Sequence, residues 1–512
     1  MNSFKLKELF KLNIYNIIAN RILNRFRKDC IDIEKNYTHT YSNILKVVRW
    51  KNISGTTIES LKELPLTDYS DYKVYFDEAK KTGINSLTGE KVLFFLKSTG
   101  STGDQKNIPL TKSYSRNYLS ALKPRGALLQ KRYDVFNMKN EHAFFIPGIE
   151  FINGVPSGHM GLYLFNRIPF FLRSKWAIPF EVANDLNLYQ KHGDALVVLS
   201  DLEAITGTIP GGLAAFYNRV ILNKDAIIKQ IKYPDAHLTR ILKSRKRITK
   251  DRLTYVLSIL SNENFSMNQL WPKLRFVNFW KSAAGEGQLL SIQCQLGTDV
   301  EIIDQVYNST EGAFNIPWPN KLGGPVIPSG IILEFLDLKT GLVYFPWQLE
   351  IGNEYELIIT NFIGMLRYRI GDIIKCTGFY EKSPEIHFVG RANNEISFGW
   401  YVISIHDLIV HLNENKCLMI DCIIAPAPSM LGLALYWHNK YPIIEEKIIS
   451  KYLVKCIPYF EDRLRDGTAK ALILYEIPSN LFTYWKITSK HNVEKSIPEK
   501  IKNYIRSFHN SL

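Results

Sequence analysis

The chain has 512 residues, 46% of them hydrophobic, and a formal net charge of +15. This composition excludes a disordered protein, and the length is enough for one large core and two to four domains or subdomains. No apolar stretch is long enough to cross a bilayer, so stable membrane insertion is not expected.

The N-terminal segment has the spacing of a helix. Apolar residues recur between Phe4 and Phe26 at helical intervals and are flanked by basic residues. A basic amphipathic helix can lie on a membrane surface, but packing on the main core is the interpretation that we favour. Further along, Pro65 predicts a stop, and Asp68 predicts the N-cap of the next helix.

A Ser/Thr/Gly loop follows a predicted buried strand at Leu93–Leu96. Glycines allow backbone N–H groups to approach a phosphate, hydroxyls add donors, and a following lysine adds positive charge. No GKS or GKT sequence follows, so this is not a Walker loop, and an ordinary loop is the alternative interpretation. The candidate phosphate-binding residues are Ser98, Thr99, Gly100, Ser101, Thr102, Gly103 and Lys106.

The next part of the chain alternates helical and extended patterns. We predict a helix at Tyr114–Lys131, a short strand at Ala143–Gly148, a structured glycine-rich loop at 147–161 and a second strand at Ala195–Leu199. A strand is also predicted at Leu274–Trp280. This alternation favours layers of helices on a sheet, the α/β class.

Residues 238–252 are strongly basic but contain no interleaved aromatic residues, so a solvated helix face is expected and a nucleic-acid partner is not. Residues 331–391 have the pattern of a β-rich subdomain. A hinge at Ala392–Asn394 would separate a large domain, 1–392, from a small α/β domain, 393–512, with a helix at Ile405–Leu412 and a strand at Ala471–Tyr475.

Two further motifs make the loop more specific. One is Tyr307-Asn308-Ser309-Thr310-Glu311-Gly312, and the other is Tyr368-Arg369-Ile370-Gly371-Asp372, followed by Phe388-Val389-Gly390-Arg391. The order and spacing of the three motifs resemble those of adenylate-forming enzymes, and most closely the acyl-acid amido synthetase (Gretchen Hagen 3, auxin-conjugating) family with its bacterial-type members. The resemblance covers roughly residues 60–395. It implies a large N-terminal adenylate-forming domain and a smaller C-terminal α/β domain.

The resemblance also implies roles for residues. The loop with Lys106 would hold the phosphates of ATP, and oxygen ligands suit Mg²⁺. The other implied contacts are Tyr307 near adenine, Thr310 on phosphate, Glu311 on Mg²⁺, Asp372 on both ribose hydroxyls and Arg391 on the ribose or hinge side. Alternatively, Tyr307 belongs to the core, Asp372 is a turn residue, and Arg369 pairs with Asp372 at the surface.

The catalytic lysine of the family lies near the C-terminus in the sequence Gln-x-Lys-x-Pro-Arg. This chain has Val493-Glu494-Lys495-Ser496-Ile497-Pro498-Glu499 instead. A gapless match on Pro498 places Ser496 at the lysine position, and Lys495 fits after a shift of one residue. Lys495 is therefore the candidate catalytic residue, with Ser496 as the competing match.

The function that the resemblance implies is ATP-dependent ligation. The protein would adenylate a small-molecule carboxylic acid and transfer the acyl group to an amine, with an amino acid as the expected acceptor. Two alternatives stay open: an acyl-coenzyme A ligase, and a nucleotide-binding pseudoenzyme or interaction protein. Six scattered cysteines without a C-x-x-C pair suggest a reducing compartment and hence the cytoplasm, with signal-independent secretion as an open alternative. The oligomeric state is not predicted.

Overall fold

The protein is described here by a computed structural model. It covers residues 3–50, 55, 57–97, 106–207, 210–245, 248–263, 265–281, 292–391, 395–398, 401–404, 408, 411–412, 415, 422–427, 430–437 and 445–478. The predicted phosphate loop, residues 98–103, and the candidate lysine, Lys495, lie outside these ranges.

Helices and strands alternate along most of the chain. The helices are α1 (Ser3–Ile31), α2 (Ile33–Val47), α3 (Tyr69–Thr82), α4 (Lys112–Ala121), α5 (Lys123–Tyr133), α6 (Met160–Asn166), α7 (Phe180–Asn184), α8 (Leu186–Leu199), α9 (Pro210–Leu222), α10 (Lys224–Lys232), α11 (Ala236–Ser244), α12 (Lys250–Leu260), α13 (Met267–Leu270), α14 (Glu446–Cys456) and α15 (Phe460–Arg465). Short 3-10 helices occupy Glu59–Glu63, Val135–Asn137, Phe170–Lys175 and Pro346–Gln348.

The strands form several separate sheets. They are β1 (Ile84–Asn85), β2 (Glu90–Lys91), β3 (Phe94–Lys97), β4 (Asn107–Leu110), β5 (Glu141–Ala143), β6 (Glu150–Ile152), β7 (Val155–Gly158), β8 (Ala204–Thr206), β9 (Phe276–Phe279), β10 (Glu301–Asp304), β11 (Gly324–Pro325), β12 (Ile332–Leu336), β13 (Val343–Tyr344), β14 (Glu354–Thr360), β15 (Tyr368–Tyr380), β16 (Ser383–Arg391), β17 (Glu395–Phe398), β18 (Tyr401–Ser404), β19 (Cys422–Pro426), β20 (Leu431–Trp437) and β21 (Ala469–Glu476).

The N-terminal helices pack on the largest hydrophobic core, as the sequence predicted. Phe26 of α1 and both Tyr37 and Tyr41 of α2 are buried in it. The helix α3 begins where it was expected, because the Asp68 carboxylate accepts a hydrogen bond from the Ser70 N–H at 2.7 Å. It ends at Gly83, whose φ of 69° suits a residue without a side chain.

A four-stranded sheet, in the order β4-β3-β7-β6, leads into the predicted phosphate loop. Strands β3 and β7 are parallel, with Leu96 opposite Gly158, so their carboxyl ends reach the same edge. The glycine-rich segment 147–161 is not only a loop as predicted, since most of it forms the β6–β7 hairpin. Its turn residues Asn153 and Gly154 have φ values of 47° and 79°, as a two-residue hairpin turn requires.

A second four-stranded sheet is entirely parallel, in the order β10-β9-β8-β5. The predicted strand at 274–280 is confirmed as β9. Apolar residues of the helices from α6 to α13 form a second hydrophobic core with this sheet, and Leu196 and Trp271 are fully buried in it. The parallel sheet and its covering helices confirm the α/β class.

Three local predictions in this region were wrong. The run Ala195–Leu199 is not a strand but the end of α8, which is apolar on several sides because other helices pack around it. The strand expected at Ala143–Gly148 lies earlier, at β5. The helix expected at Tyr114–Lys131 is two helices, α4 and α5, which join at Leu122 just before Pro124.

The basic run at 238–252 is only in part a solvated face. Arg240 and Lys243 are exposed, as expected. Arg252 is buried instead, and its guanidinium donates hydrogen bonds to four backbone carbonyls, those of Val198, Leu199, Ser200 and Leu270, at 2.7–3.2 Å. This arginine therefore ties the end of α8 to α13.

Residues 324–391 form a six-stranded antiparallel sheet in the order β11-β16-β15-β14-β12-β13, which confirms the β-rich region. In the pairing of β15 with β16, Asp372 lies directly opposite Arg391. Beyond this sheet, β19, β20 and β21 form a sheet on which α14 and α15 pack, with a core of their own that includes Leu433, Leu453 and Leu472. The predicted strand at Ala471–Tyr475 is confirmed within β21. The predicted helix at Ile405–Leu412 and the hinge at 392–394 fall mostly or wholly outside the described residues, so the domain boundary stays a prediction.

Candidate active site

The parallel sheet brings the first two aromatic residues of the site together. Trp280 follows β9 and Tyr307 follows β10, and these strands are parallel neighbours whose carboxyl ends meet. The two rings stack with centroids 5.5 Å apart and an interplanar angle of 16°. Phe388 of β16 packs against both rings, at 5.0 Å from Trp280 and 5.7 Å from Tyr307. Ligands of α/β sheets bind at such carboxyl ends, so this edge is a candidate site.

Tyr307 and Asp372, which lie 65 positions apart, are joined by a hydrogen bond. The Tyr307 hydroxyl donates to the Asp372 Oδ2 at 2.6 Å. Both side chains are buried, with exposures of 1% and 2%. A carboxylate in such a place keeps its charge only where donors hold it, and the phenol fixes its orientation. Asp372 is thus no exposed turn residue.

Tyr307 belongs to the core, as one of its two interpretations had it. Its ring contacts Trp280 on one side and Phe314, at 4.8 Å, in an edge-on arrangement. A direct contact between this ring and adenine stays a prediction. The indole Nε1 of Trp280 is itself buried and donates no hydrogen bond within the described part of the chain.

The segment 309–312 is a tight turn held from both sides. The Ser309 N–H donates to the Gly312 carbonyl at 2.8 Å, and the Ser309 hydroxyl accepts from the Glu311 N–H at 3.0 Å. From outside, the Tyr114 hydroxyl donates to the Thr310 carbonyl at 2.8 Å, and the Asn361 side chain donates to the Glu311 carbonyl at 2.9 Å. The backbone of this turn is therefore fixed without any ligand.

Within the turn, the Thr310 hydroxyl donates to the Glu311 Oε2 at 2.6 Å, and the Glu311 side chain is largely buried. No group of three metal-binding side chains exists among the described residues. This donor set fits Mg²⁺, because Mg²⁺ in nucleotide sites commonly uses one or two carboxylates and takes its other ligands from phosphates and water. Glu311 is the residue that would hold the ion.

Buried charges support the strand end that carries Tyr307. The Asp304 carboxylate accepts hydrogen bonds from the Lys281 and Gly323 N–H groups, each at 2.9 Å. Burial raises the pKa of Asp304 despite these donors. The guanidinium of Arg125 donates to the carbonyls of Asp304 and Pro317, and burial lowers its pKa to about 10. These contacts fix β10 relative to α5.

Lys106 lies beyond the predicted phosphate loop, with its ammonium 4.6 Å from the centre of the Tyr69 ring. Hydrogen bonds from Ser70, together with the charge of Lys106, hold the pKa of Asp68 below its usual value. Arg369 does not pair with Asp372, since its guanidinium donates to both oxygens of Glu356, at 3.0 and 2.6 Å. Arg391 is placed opposite Asp372 by strand register.

Sequence reasoning did not assign Trp280, Phe388, Tyr114 or Asn361 to the site. The position of Trp280 at the end of a predicted strand could have indicated the site, because ligands of parallel sheets bind at the carboxyl ends of the strands. Phe388 was part of a quoted motif but was given no role. No local pattern marks Tyr114 or Asn361, since their contacts with Thr310 and Glu311 span 196 and 50 positions.

Two stretches of the chain match domains of one family. Residues 42–287 match the GH3 family N-terminal domain, and residues 324–391 match the GH3 family central domain. Together they span more than half of the chain. Within the described residues, no helix is both long enough and apolar enough to cross a membrane.

Several relatives are plant enzymes. The 4-substituted benzoates-glutamate ligase GH3.12 of Arabidopsis thaliana is 22% identical over 438 residues, which cover 77% of this chain and 76% of that protein. The indole-3-acetic acid-amido synthetase GH3.4 of Arabidopsis thaliana is 26% identical over 171 residues, or 30% of this chain and 28% of that protein. The jasmonoyl-L-amino acid synthetase JAR4 of Nicotiana attenuata is 29% identical over 31% of this chain and 29% of that protein. The chain thus aligns with less than a third of the length of the last two.

Solved structures show the same fold. The GH3.15 acyl acid amido synthetase superposes with a TM-score of 0.64 at 17% identity, over 94% of this chain and 95% of that one. The AtGH3.15 acyl acid amido synthetase in complex with 2,4-DB gives a TM-score of 0.62 at 15% identity, over 97% of this chain and 96% of that one. At this identity the likeness establishes the fold alone. The family matches and the fold lead to one conclusion: this chain belongs to the GH3 family, as its three motifs predicted.

Proposed function

We propose that this protein is an ATP-dependent acyl-acid amido synthetase whose nucleotide lies against Asp372 and the turn at 309–312. The observation that carries the proposal is the hydrogen bond between Tyr307 and Asp372. It brings two of the three motifs together beside a turn that is already rigid. Groups that are already held in position can bind a nucleotide without the cost of ordering their side chains.

The reaction has two steps. In the first, a carboxylate oxygen of the acyl acid attacks the α-phosphorus of ATP, the bond to the β-phosphate oxygen breaks, and pyrophosphate leaves. In the second, the amine nitrogen attacks the acyl carbonyl carbon, the bond to the phosphate oxygen breaks, and AMP leaves while the nitrogen loses a proton. Holding both partners in one site supplies the proximity that a free amine lacks.

Each residue has a defined task in this proposal. Asp372 is oriented by Tyr307 and accepts hydrogen bonds from the two ribose hydroxyls, since an ionised carboxylate is an acceptor only. Thr310 and the loop 98–103 contact phosphate, with Lys106 as a nearby cation. Mg²⁺ held by Glu311 would neutralise phosphate charge. Arg391 would lie on the ribose side, and Lys495 is the candidate for stabilising the adenylation step.

The test is acid-dependent exchange of pyrophosphate into ATP, measured with a panel of aromatic and aliphatic carboxylic acids and without any amine. At least one acid should support exchange in the natural protein. Asp372→Ala and Glu311→Gln should each reduce it to background. The matched control is Asp337→Ala, a turn residue after β12 whose carboxylate accepts hydrogen bonds from the Lys339 and Thr340 N–H groups of the same turn. Exchange at the natural rate in Asp372→Ala would contradict the proposed site.

A further inference from the structure

A small cavity of about 220 Å³ lies at the ends of strands β3 and β7. Lys97, the last residue of β3, and His159, the residue after β7, line it. Both stand at the carboxyl ends of parallel strands, and Lys97 directly precedes Ser98. Pro458 and Tyr459, which precede α15, also line the cavity. The cavity is therefore bounded by the β3–β7 sheet and by the C-terminal part of the chain.

The charges in the cavity are opposite and close together. The Lys97 ammonium forms an ion pair with the Glu150 carboxylate of β6. The Lys97 side chain is 13% exposed and that of Glu150 is 63% exposed, so the lysine is mostly covered by protein while the carboxylate is accessible to solvent. Such a partly exposed pair contributes little to stability, and opening it for a ligand costs little.

The third polar group is neutral. Burial, and then the charge of Lys97, lower the pKa of His159 to about 4. At neutral pH the cavity thus contains one ammonium, one carboxylate and one uncharged imidazole. A net-neutral pocket that offers one ammonium and one carboxylate suits a dipolar ligand better than a polyanion, which Glu150 would repel.

Two wall residues have left-handed backbones. Gly148 has a φ of 89°, and a Cβ added there would lie 3.1 Å from the Cβ of Leu186. Tyr459 has a φ of 59°, which is uncommon for a residue with a side chain. A left-handed backbone is ordinary for glycine, whereas in a residue such as Tyr459 it is maintained only where the surrounding structure requires it, and such residues cluster at ligand sites. Both residues line the same cavity.

We propose that this cavity binds the acceptor of the second step, an α-amino acid in its zwitterionic form. Lys97 binds the α-carboxylate, and Glu150 receives the ammonium group before that group loses a proton and attacks. The volume is below the roughly 300–1,000 Å³ of pockets for drug-sized ligands, which fits a small acceptor. Lys97 directly precedes the predicted phosphate loop in the sequence, so the proposal places the amino acid next to the step in which the acyl-adenylate forms. This inference rests on the proposed function.

The test compares an amino acid with the amine that lacks its α-carboxylate. For each protein, amide formation is measured with the best amino-acid acceptor and with its decarboxylated amine, and the ratio of the two kcat/KM values is the discrimination. Lys97→Met should lower this ratio at least tenfold. Glu150→Gln should lower kcat/KM for both acceptors while the ratio stays high. The control Lys73→Met removes an exposed lysine that pairs with Asp77 on α3, and should leave the ratio unchanged.

The outcomes separate the two proposals. An unchanged ratio in Lys97→Met would overturn the acceptor site. Acid-dependent pyrophosphate exchange without amide formation from any of the twenty standard amino acids, or thioester formation with coenzyme A instead, would overturn it while leaving adenylation intact. Absence of exchange with every acid would refute the proposed function itself, and the acceptor site with it.

Discussion

Replacement of Tyr307 by phenylalanine isolates the contact on which the proposed site depends. The ring and its packing against Trp280 are kept, so the packing contribution stays close to that of the natural protein. What is lost is one hydrogen bond of 2.6 Å to a carboxylate that is 2% exposed. Hydrogen bonds to charged groups contribute about 1.5–3 kcal/mol, and water cannot easily replace this donor. Tyr307→Phe should therefore destabilise β15 and the 307–312 segment by about that amount.

Amide hydrogen exchange of β15 is the suitable assay, because it reports the stability of this strand separately from that of the rest of the chain. The expected loss corresponds to roughly 10- to 150-fold faster exchange. The comparison variant is Tyr355→Phe. Its hydroxyl is also buried but accepts from the Glu350 N–H at 3.1 Å, a neutral bond that should cost about 0.5–1.5 kcal/mol.

A double-mutant cycle with Asp372→Asn completes the test. If the hydrogen bond acts as described, Tyr307→Phe should cost clearly less in the Asp372→Asn background than in the natural one. Exchange of β15 at the natural rate in Tyr307→Phe, with no coupling in the cycle, would refute the view that the phenol holds the carboxylate.

Three further predictions concern the scaffold. Arg252→Met should destabilise the protein by at least about 2 kcal/mol in urea unfolding, because four backbone carbonyls lose their donor. The control Lys243→Met replaces an exposed lysine and should have almost no effect. Equal effects of the two substitutions would refute the buried role of Arg252. Burial lowers the pKa of His142 from 6.5 to about 3, so His142 takes up a proton on unfolding when the pH lies between these two values. The free energy of unfolding should therefore decrease as the pH is lowered below 6.5, by up to about 1.4 kcal/mol per pH unit. In urea unfolding from pH 4 to 7, His142→Phe should flatten that dependence, and an unaltered slope would count against it. Asp68→Ala should cost about 1 kcal/mol in the same assay by removing the N-cap of α3, and a neutral result would show that the cap is dispensable.

The sequence predicted the elements whose signals are local. The capping residue Asp68 and the short strand-forming runs that became β14 and β15 each carry their information within a few positions. Gly83 at the end of α3 and Asn153-Gly154 in the β6–β7 turn show how such signals work. The Asn153-Gly154 pair is a turn signal in the sequence, but we interpreted it only as part of a loop.

Where prediction failed, the reason was tertiary. Ala195–Leu199 is a short apolar run that fits a buried strand as well as a buried helix, and only the helices packed around α8 decide between them. An arginine in a basic run is usually exposed, but Arg252 is buried because carbonyls of α8 and α13 accept hydrogen bonds from its guanidinium.

For the candidate site, too, the residues were predictable from local sequence motifs, whereas the contacts between them were not. Tyr307, Glu311 and Asp372 were found through motifs, because their residue types suit a nucleotide. Their contacts were not predictable, since the Tyr307–Asp372 bond spans 65 positions and depends on how the parallel sheet meets the antiparallel one. Arg369 shows the same limit of prediction from sequence: Asp372 was considered as its partner, but its guanidinium donates to Glu356 of the neighbouring strand β14.

The central claim is that MgATP binds at Asp372, and calorimetry of MgATP binding to the purified full-length protein tests it most directly. The natural protein should bind MgATP and, at a hundred times the dissociation constant, gain about 2.7 kcal/mol of stability in a thermal-shift measurement. Asp372→Ala should lose the binding, and Asp337→Ala should keep it. Equal affinity in the natural protein and Asp372→Ala, or no binding to the natural protein at millimolar MgATP, would contradict the account.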